Sequence, residues 1–98
     1  MKILAIEKEN PSANSDQFSE WLKDEAKKVW ELYQSDFIRE IYFRKDSSSA
    51  ILILECDNVE TAKQRLNKLP LVKKNFISFE LIPLIPYPGF SRLFISIK

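Results

Sequence analysis

The sequence predicts an α+β fold in which two helices cover one face of a four-stranded antiparallel sheet. Apolar residues alternate with other residues in four short runs, which is typical of strands. In two longer segments they recur at helical spacing. The order of these segments, βαββαβ, is typical of the ferredoxin-like arrangement, here as one domain over residues 1–98.

The first strand is expected at Lys2–Lys8 and the first helix from Ser15 to about Ser35. Asn14, with Gln17 at the third position after it, approximates a capping box for that helix. Asp36 follows the helix and suits a left-handed ending, because aspartate tolerates a positive φ better than most residues.

The second half of the chain is expected to contain three strands and a shorter helix. Pro70 is expected to end the second helix and Pro83 the last strand, since proline continues neither element well. The expected elements are strands at Phe37–Lys45 and Ala50–Cys56 joined by a polar turn, a helix capped by Asp57, and a strand at about Asn75–Ile82.

Each predicted strand has one wholly apolar face and one face that mixes apolar with ionisable residues. The apolar sets are expected to face the helices: Leu4/Ile6, Ile41/Phe43, Leu52/Leu54 and Ile77/Phe79/Leu81. The mixed face then holds Ile3, Ala5, Ile38, Ile51, Ile53, Phe76 and Ile82. A monomer would expose this patch, so a cover is expected.

Two covers are open: the equivalent face of a second subunit, and the tail over residues 83–98. This tail is rich in apolar residues and contains a type II turn signal at Tyr87–Phe90. It is expected to pack on its own sheet or on a partner subunit.

Composition excludes several classes of function. Fifteen basic and fourteen acidic residues give a net charge of +1, so neither nucleic acid nor a membrane is an expected partner. The chain has no histidine, one cysteine and one glycine, so no metal site, disulfide, histidine-dependent triad, phosphate loop or cofactor is expected. The short apolar N-terminus indicates no secretory signal and predicts a cytoplasmic protein.

Glu25 is the charge that does not fit its surroundings, because it lies in the apolar stripe of the first helix. Burial raises the pKa of a carboxyl group towards the range useful for general acid–base catalysis. The alternatives are a structural hydrogen bond to Tyr33, Tyr42 or an arginine on a strand, or a side chain that bends to the edge of the helix.

The mixed face supplies the other candidates. Glu40 is a second candidate catalytic residue, and the candidate ligand-binding residues are Tyr42, Arg44, Glu55 and Glu7. An arginine there can hold an oxygen of a small ligand while a glutamate moves a proton. The alternative is that these charges form surface or interface ion pairs of little energetic weight.

Three parts of the chain carry a family resemblance: Glu25-Ala26 with Val29–Tyr33, the strand Arg39–Arg44, and above all Leu69–Val72 through Phe79–Leu84. They resemble muconolactone isomerase-like small proteins of the dimeric α+β barrel superfamily. The resemblance implies a ferredoxin-like protomer that pairs with a second one, as a homodimer or higher homo-oligomer, with a pocket between sheet and helices or inside the barrel. It also implies a cofactor-free isomerase or cyclase-type catalyst acting on a small-molecule ligand. The alternatives are a non-catalytic ligand-binding module and a purely structural homo-oligomer.

Overall fold

A computed structural model describes residues 1–95 and confirms the predicted fold class. The elements are β1 (Lys2–Glu9), α1 (Leu22–Gln34), β2 (Ile38–Phe43), β3 (Ala50–Glu55), α2 (Val59–Leu66), α3 (Pro70–Lys73) and β4 (Ile77–Leu84). The strands form one antiparallel sheet in the order β2-β3-β1-β4, with the helices on one face. No helix within residues 1–95 is long and apolar enough to cross a membrane.

The first helix begins at Leu22 rather than at Ser15. The Asn14–Gln17 contact does form, because the Asn14 amide donates to Gln17 Oε1 over 3.4 Å, but it closes only a short 3-10 turn at Ser15–Gln17. The chain then turns through residues 18–21. Phe18 stacks on Phe76 with ring centroids 5.2 Å apart, and Lys74 Nζ lies 4.5 Å from the centre of the Trp21 ring.

The second helix is capped by Asn58, not by Asp57 as the sequence suggested. Asn58 has extended backbone angles, and its Oδ1 accepts a 2.8 Å hydrogen bond from the Thr61 amide. Asp57 lies one residue too early for this geometry. After Leu66 the chain forms the one-turn helix α3, which was not predicted and which starts at Pro70, where a missing amide hydrogen costs nothing.

Proline does not end the last strand. Pro83 pairs with Ile3, and β4 continues to Leu84. Because β4 is an edge strand, its outward side needs no backbone donor, and proline is tolerated there. Asp36 adopts a φ of 67°, as predicted for the end of α1.

The first strand presents the opposite face to the one predicted. Ile3 lies opposite Leu54 and Ala5 opposite Leu52, and both Ile3 and Ala5 are fully buried under the helices. Leu4 and Ile6 therefore belong to the outer face of the sheet. Both faces of β1 are apolar at these positions, so a period of two residues does not distinguish the inner face from the outer one.

A bulge in β2 causes a second difference from the predicted faces of the sheet. Ile38 lies opposite Leu54 while Glu40 lies opposite Ile53, so Arg39 is an extra residue in the ladder. The bulge places Ile38 in the core, where it is 1% exposed, together with the inner residues of β3. Glu40 and Tyr42 remain on the outer face, opposite Ile53 and Ile51.

The helices cover the inner face unequally. α2 buries Ala62 and Leu66 completely or nearly so, and Leu69 follows them into the core. In α1 only Leu32 is buried, whereas Leu22 and Tyr33 of the predicted apolar stripe are exposed. The apolar stripe of α1, which was expected to fill the core, is therefore only partly buried.

The tail extends away from the sheet. Ile85 and Phe94 are each 82% exposed, and the molecule measures 64 Å along its longest axis. Pro88 has a ψ of −5° and Gly89 has no positive φ, so the predicted type II turn is a 3-10 turn instead, at Gly89–Leu93. The last three residues of the predicted tail lie outside the described part of the chain.

Candidate functional site

A cavity of about 280 Å³ lies between α1 and the inner face of the sheet. Its apolar walls come from α1 (Leu22, Ala26, Val29), from the sheet (Ile41, Phe43, Ala50, Leu52, Ile77, Phe79) and from the segment around α3 (Leu69, Leu71). Two glutamates complete the lining, Glu7 from β1 and Glu25 from α1. The exposed Leu22 and Phe43 lie at its open side.

Glu25 is held in place by a backbone group. Its Oε1 accepts a 2.9 Å hydrogen bond from the amide of Leu71. That amide belongs to the first turn of α3, where helical amides have no partner within the helix. The bond therefore links α1 to α3, and it replaces the tyrosine or arginine partner that the sequence suggested.

Glu7 points into the same cavity, not to the mixed outer face where the sequence placed it. Its Oε1 accepts a 3.1 Å hydrogen bond from the amide of Ala50, at the start of β3. The reversal of β1 explains the difference, because Glu7 shares a face with the buried residues Ile3 and Ala5.

Burial raises the pKa of both carboxyl groups. For Glu25, desolvation is the main cause, the Leu71 amide opposes it, and the negative charge of Glu7 adds to the increase. For Glu7, desolvation again dominates, the Ala50 amide opposes it, and Glu9 adds to the increase. Because a charge on Glu7 disfavours a second charge on Glu25, the pair retains a proton to higher pH than an isolated glutamate would.

The remaining predicted residues lie outside this cavity. Tyr42 donates a 2.7 Å hydrogen bond to Glu40 Oε1 on the exposed outer face, which raises the pKa of the Tyr42 hydroxyl. Both residues line a neighbouring groove of about 460 Å³ with Trp30 of α1. The structure therefore does not bring Glu40 together with Glu25.

Arg44 and Glu55 are engaged in exposed ion pairs. Arg44 binds Asp46 through two hydrogen bonds of 2.9 and 2.6 Å, and this pairing lowers the pKa of the Asp46 carboxyl. The N-terminal amine of Met1 lies 2.6 Å from Glu55 Oε2 and lowers the pKa of Glu55. Exposed pairs of this kind contribute little to stability.

Two backbone amides, those of Leu71 and Ala50, were not identified from the sequence. The only signal for the first is Pro70, which can begin a helix as well as end one. The second has no sequence signal. Within residues 1–95, no three cysteine, aspartate or glutamate side chains come together in a way that could hold a metal ion.

Comparison with known proteins supports the fold through structure rather than sequence. No protein-family model matches the chain, and no curated protein matches it. Among solved structures, the crystal structure of muconolactone isomerase matches with a TM-score of 0.73 and 16% sequence identity, over 91% of this chain and 93% of that one. The chain therefore has the fold of muconolactone isomerase.

Proposed function

We propose that this chain is a cytoplasmic, homo-oligomeric, cofactor-free catalyst of the isomerase or cyclase type. Its site is the cavity beneath α1, and Glu7 and Glu25 are its acid–base pair. The observation that carries the proposal is that two carboxyl groups with raised pKa values line one apolar cavity. Carboxyl groups whose environment favours a retained proton are suited to moving protons near neutral pH.

The two glutamates take different roles in the proposal. We assign Glu25 as the proton donor and Glu7 as the base, because the negative charge of Glu7 adds to the increase in the pKa of Glu25. Protonated Glu25 donates a hydrogen bond to a carbonyl oxygen of the ligand. Glu7 removes a proton from the adjacent carbon, the double bond shifts, and Glu7 returns the proton to a carbon further along. The proton and electron pair are conserved, and no cofactor is consumed.

Conversion of a β,γ-unsaturated cyclohexenone to its conjugated isomer, followed by ultraviolet absorbance, tests this chemistry. We expect Glu7→Gln and Glu25→Gln each to lower the rate by about a hundredfold or more, since a positioned acid or base contributes roughly 10² to 10⁴ in rate. Glutamine keeps the oxygen that accepts the backbone hydrogen bond, so loss of rate would report the proton and not the fold.

Glu31→Gln is the matched control, because Glu31 lies on the exposed side of α1 and pairs loosely with Lys28 at 3.8 Å. Its rate should equal that of the wild type. A wild-type rate no greater than that of the Glu7→Gln/Glu25→Gln double variant would contradict the proposal.

Homo-oligomerisation is supported by two apolar surfaces on the same chain. The outer face of the sheet pairs Leu4 with Ile53 and Ile82 across neighbouring strands. The tail carries Ile85, Phe90 and Phe94, all largely exposed. Contiguous apolar surfaces are typical of protein–protein interfaces. We propose that the tail and the outer face of one subunit are covered by another subunit.

Removal of residues 85–98 tests the assembly. The truncated chain is expected to have a smaller mass by light scattering than the full chain at the same concentration. The double variant Phe90→Ser/Phe94→Ser should shift in the same direction, because it removes apolar side chains without shortening the tail. Identical masses for all three chains would contradict the role given to the tail.

A further inference from the structure

The ionisable groups that line the cavity beneath α1 are all acidic. Its lining contains two carboxyl groups and, among the described residues, no lysine or arginine. Every other lining side chain is apolar. A carboxylate ligand would therefore bring a third negative group into an apolar space with no cation in the wall to balance it.

The cations on the surrounding elements do not line the cavity: Lys27 and Lys73 line a separate polar groove between α1 and α3, and several others have partners elsewhere. Lys74 of the loop after α3 lies over the Trp21 ring, outside the cavity lining. Three further cations have an anionic partner within 4 Å on exposed surfaces: Lys8 with Glu80, Lys28 with Glu31, and Arg44 with Asp46. Glu9, the next acidic residue on β1, adds further negative charge near Glu7.

The two carboxyl groups each keep one oxygen for a ligand. Oε1 of Glu25 is occupied by the Leu71 amide and Oε1 of Glu7 by the Ala50 amide. Oε2 of each accepts no hydrogen bond from the residues that the structure describes. With the proton placed on Glu25, as in the proposed function, the two free oxygens offer one hydrogen-bond donor and one acceptor, which matches a ligand with a single carbonyl oxygen beside an acidic carbon.

We infer that the cavity takes an uncharged, largely apolar carbonyl compound and discriminates against carboxylates. This inference rests on the proposed function, because it names the substrate class of the same site. A carboxylate substrate is bound by cations or by free hydrogen-bond donors, and the side chains of this cavity wall offer no cation and, apart from the two glutamates, no polar group.

Binding of three probes of similar size tests the inference: cyclohexyl methyl ketone, cyclohexanecarboxylate and cyclohexylmethylammonium. The amide signals of Leu71 and Ala50 in nitrogen-labelled protein report occupancy, because each amide is bonded to one of the two glutamates. At neutral pH we expect the ketone to shift both signals and to bind at least about tenfold more tightly than the carboxylate. The ammonium probe should bind more weakly than the ketone, because an apolar wall disfavours a charged group.

The double variant Glu7→Gln/Glu25→Gln should bring the affinities for ketone and carboxylate closer to each other, and circular dichroism shows whether it is folded. Glu31→Gln should leave the ratio of affinities unchanged. Equal binding of ketone and carboxylate by the wild type, tightest binding of the ammonium probe, or no shift with any probe would each overturn the inference. Discrimination in favour of the ketone without isomerisation would instead overturn the proposed function alone.

Discussion

The two main helices lie on the same face of the same sheet, but they cover it in different ways. α2 is packed closely, with Ala62 and Leu66 at 0% and 2% exposure. α1 is longer, yet it buries only Leu32, near its C-terminal end. Its N-terminal end is attached instead through Trp21 and through the bond from the Leu71 amide to Glu25.

The difference shows how a small domain can keep both a core and a cavity. The α2 side supplies the close packing from which burial of apolar surface stabilises the fold. On the α1 side, polar and aromatic contacts attach the N-terminal end of the helix, and a cavity lies between the helix and the sheet. The space beneath is where two carboxyl groups can be half-buried without disrupting the core.

The same truncation in each helix should have very different effects on stability. Leu66→Ala in α2 is expected to lower the free energy of unfolding by about 2–5 kcal/mol, because it creates a void in a closely packed region. Leu22→Ala in α1 removes a half-exposed side chain, so a change within about 0.5 kcal/mol is expected. Urea denaturation measures both, and equal losses would contradict the contrast between the helices.

Replacing an alanine by a larger residue should also distinguish the two helices. The added atoms should destabilise the protein in α2 and be tolerated in α1. Ala62→Leu is expected to cost about 1–3 kcal/mol, because Ala62 is fully buried and the core has no room for the added atoms. Ala26→Leu places the same atoms in the cavity wall, so the protein should stay as stable as the wild type while ketone binding falls. A destabilised Ala26→Leu variant that still bound the ketone would show that Ala26 packs closely and does not face the cavity.

The pH dependence of stability should come from the α1 side. A carboxyl group with a raised pKa in the folded state binds more protons there than in the unfolded chain, so its contribution to stability falls as pH rises from about 4.5 through the folded pKa. Relative to the wild type, Glu25→Gln should therefore gain stability across that window. Glu60→Gln is the control, because Glu60 is an exposed residue of α2. A difference between Glu25→Gln and wild type that stayed constant with pH would contradict burial as the dominant cause.

The smallest expected effect is at the attachment of α1. Lys74→Gln removes the cation above the Trp21 ring and should cost about 0.5–1 kcal/mol. Hydrogen exchange should become faster in the first turn of α1 and stay unchanged in α2, since only the former depends on this contact. Uniform acceleration in both helices would indicate a global loss of stability instead.

Element order could be predicted from the sequence because each element carries its own periodicity, and Asp36 could be predicted because its backbone preference is local. The face of β1 could not, since Leu4 and Ile6 are as apolar as Ile3 and Ala5. Glu7 misled the assignment, because a charged residue normally indicates solvent. Glu25 was correctly identified as anomalous in its stripe, but its partner is a backbone amide from a one-turn helix, which no side-chain pattern reveals.

The bulge at Arg39 has an evolutionary consequence. Ile38, Glu40 and Ile41 lie opposite Leu54, Ile53 and Leu52, so loss of the Arg39 codon would leave a continuous ladder with every side chain on its present face. Loss of a codon for Ile41 or Tyr42 would instead turn part of the strand over, because strand side chains alternate with a period of two. Arg39 is therefore the position at which β2 can tolerate a change in length among related genes.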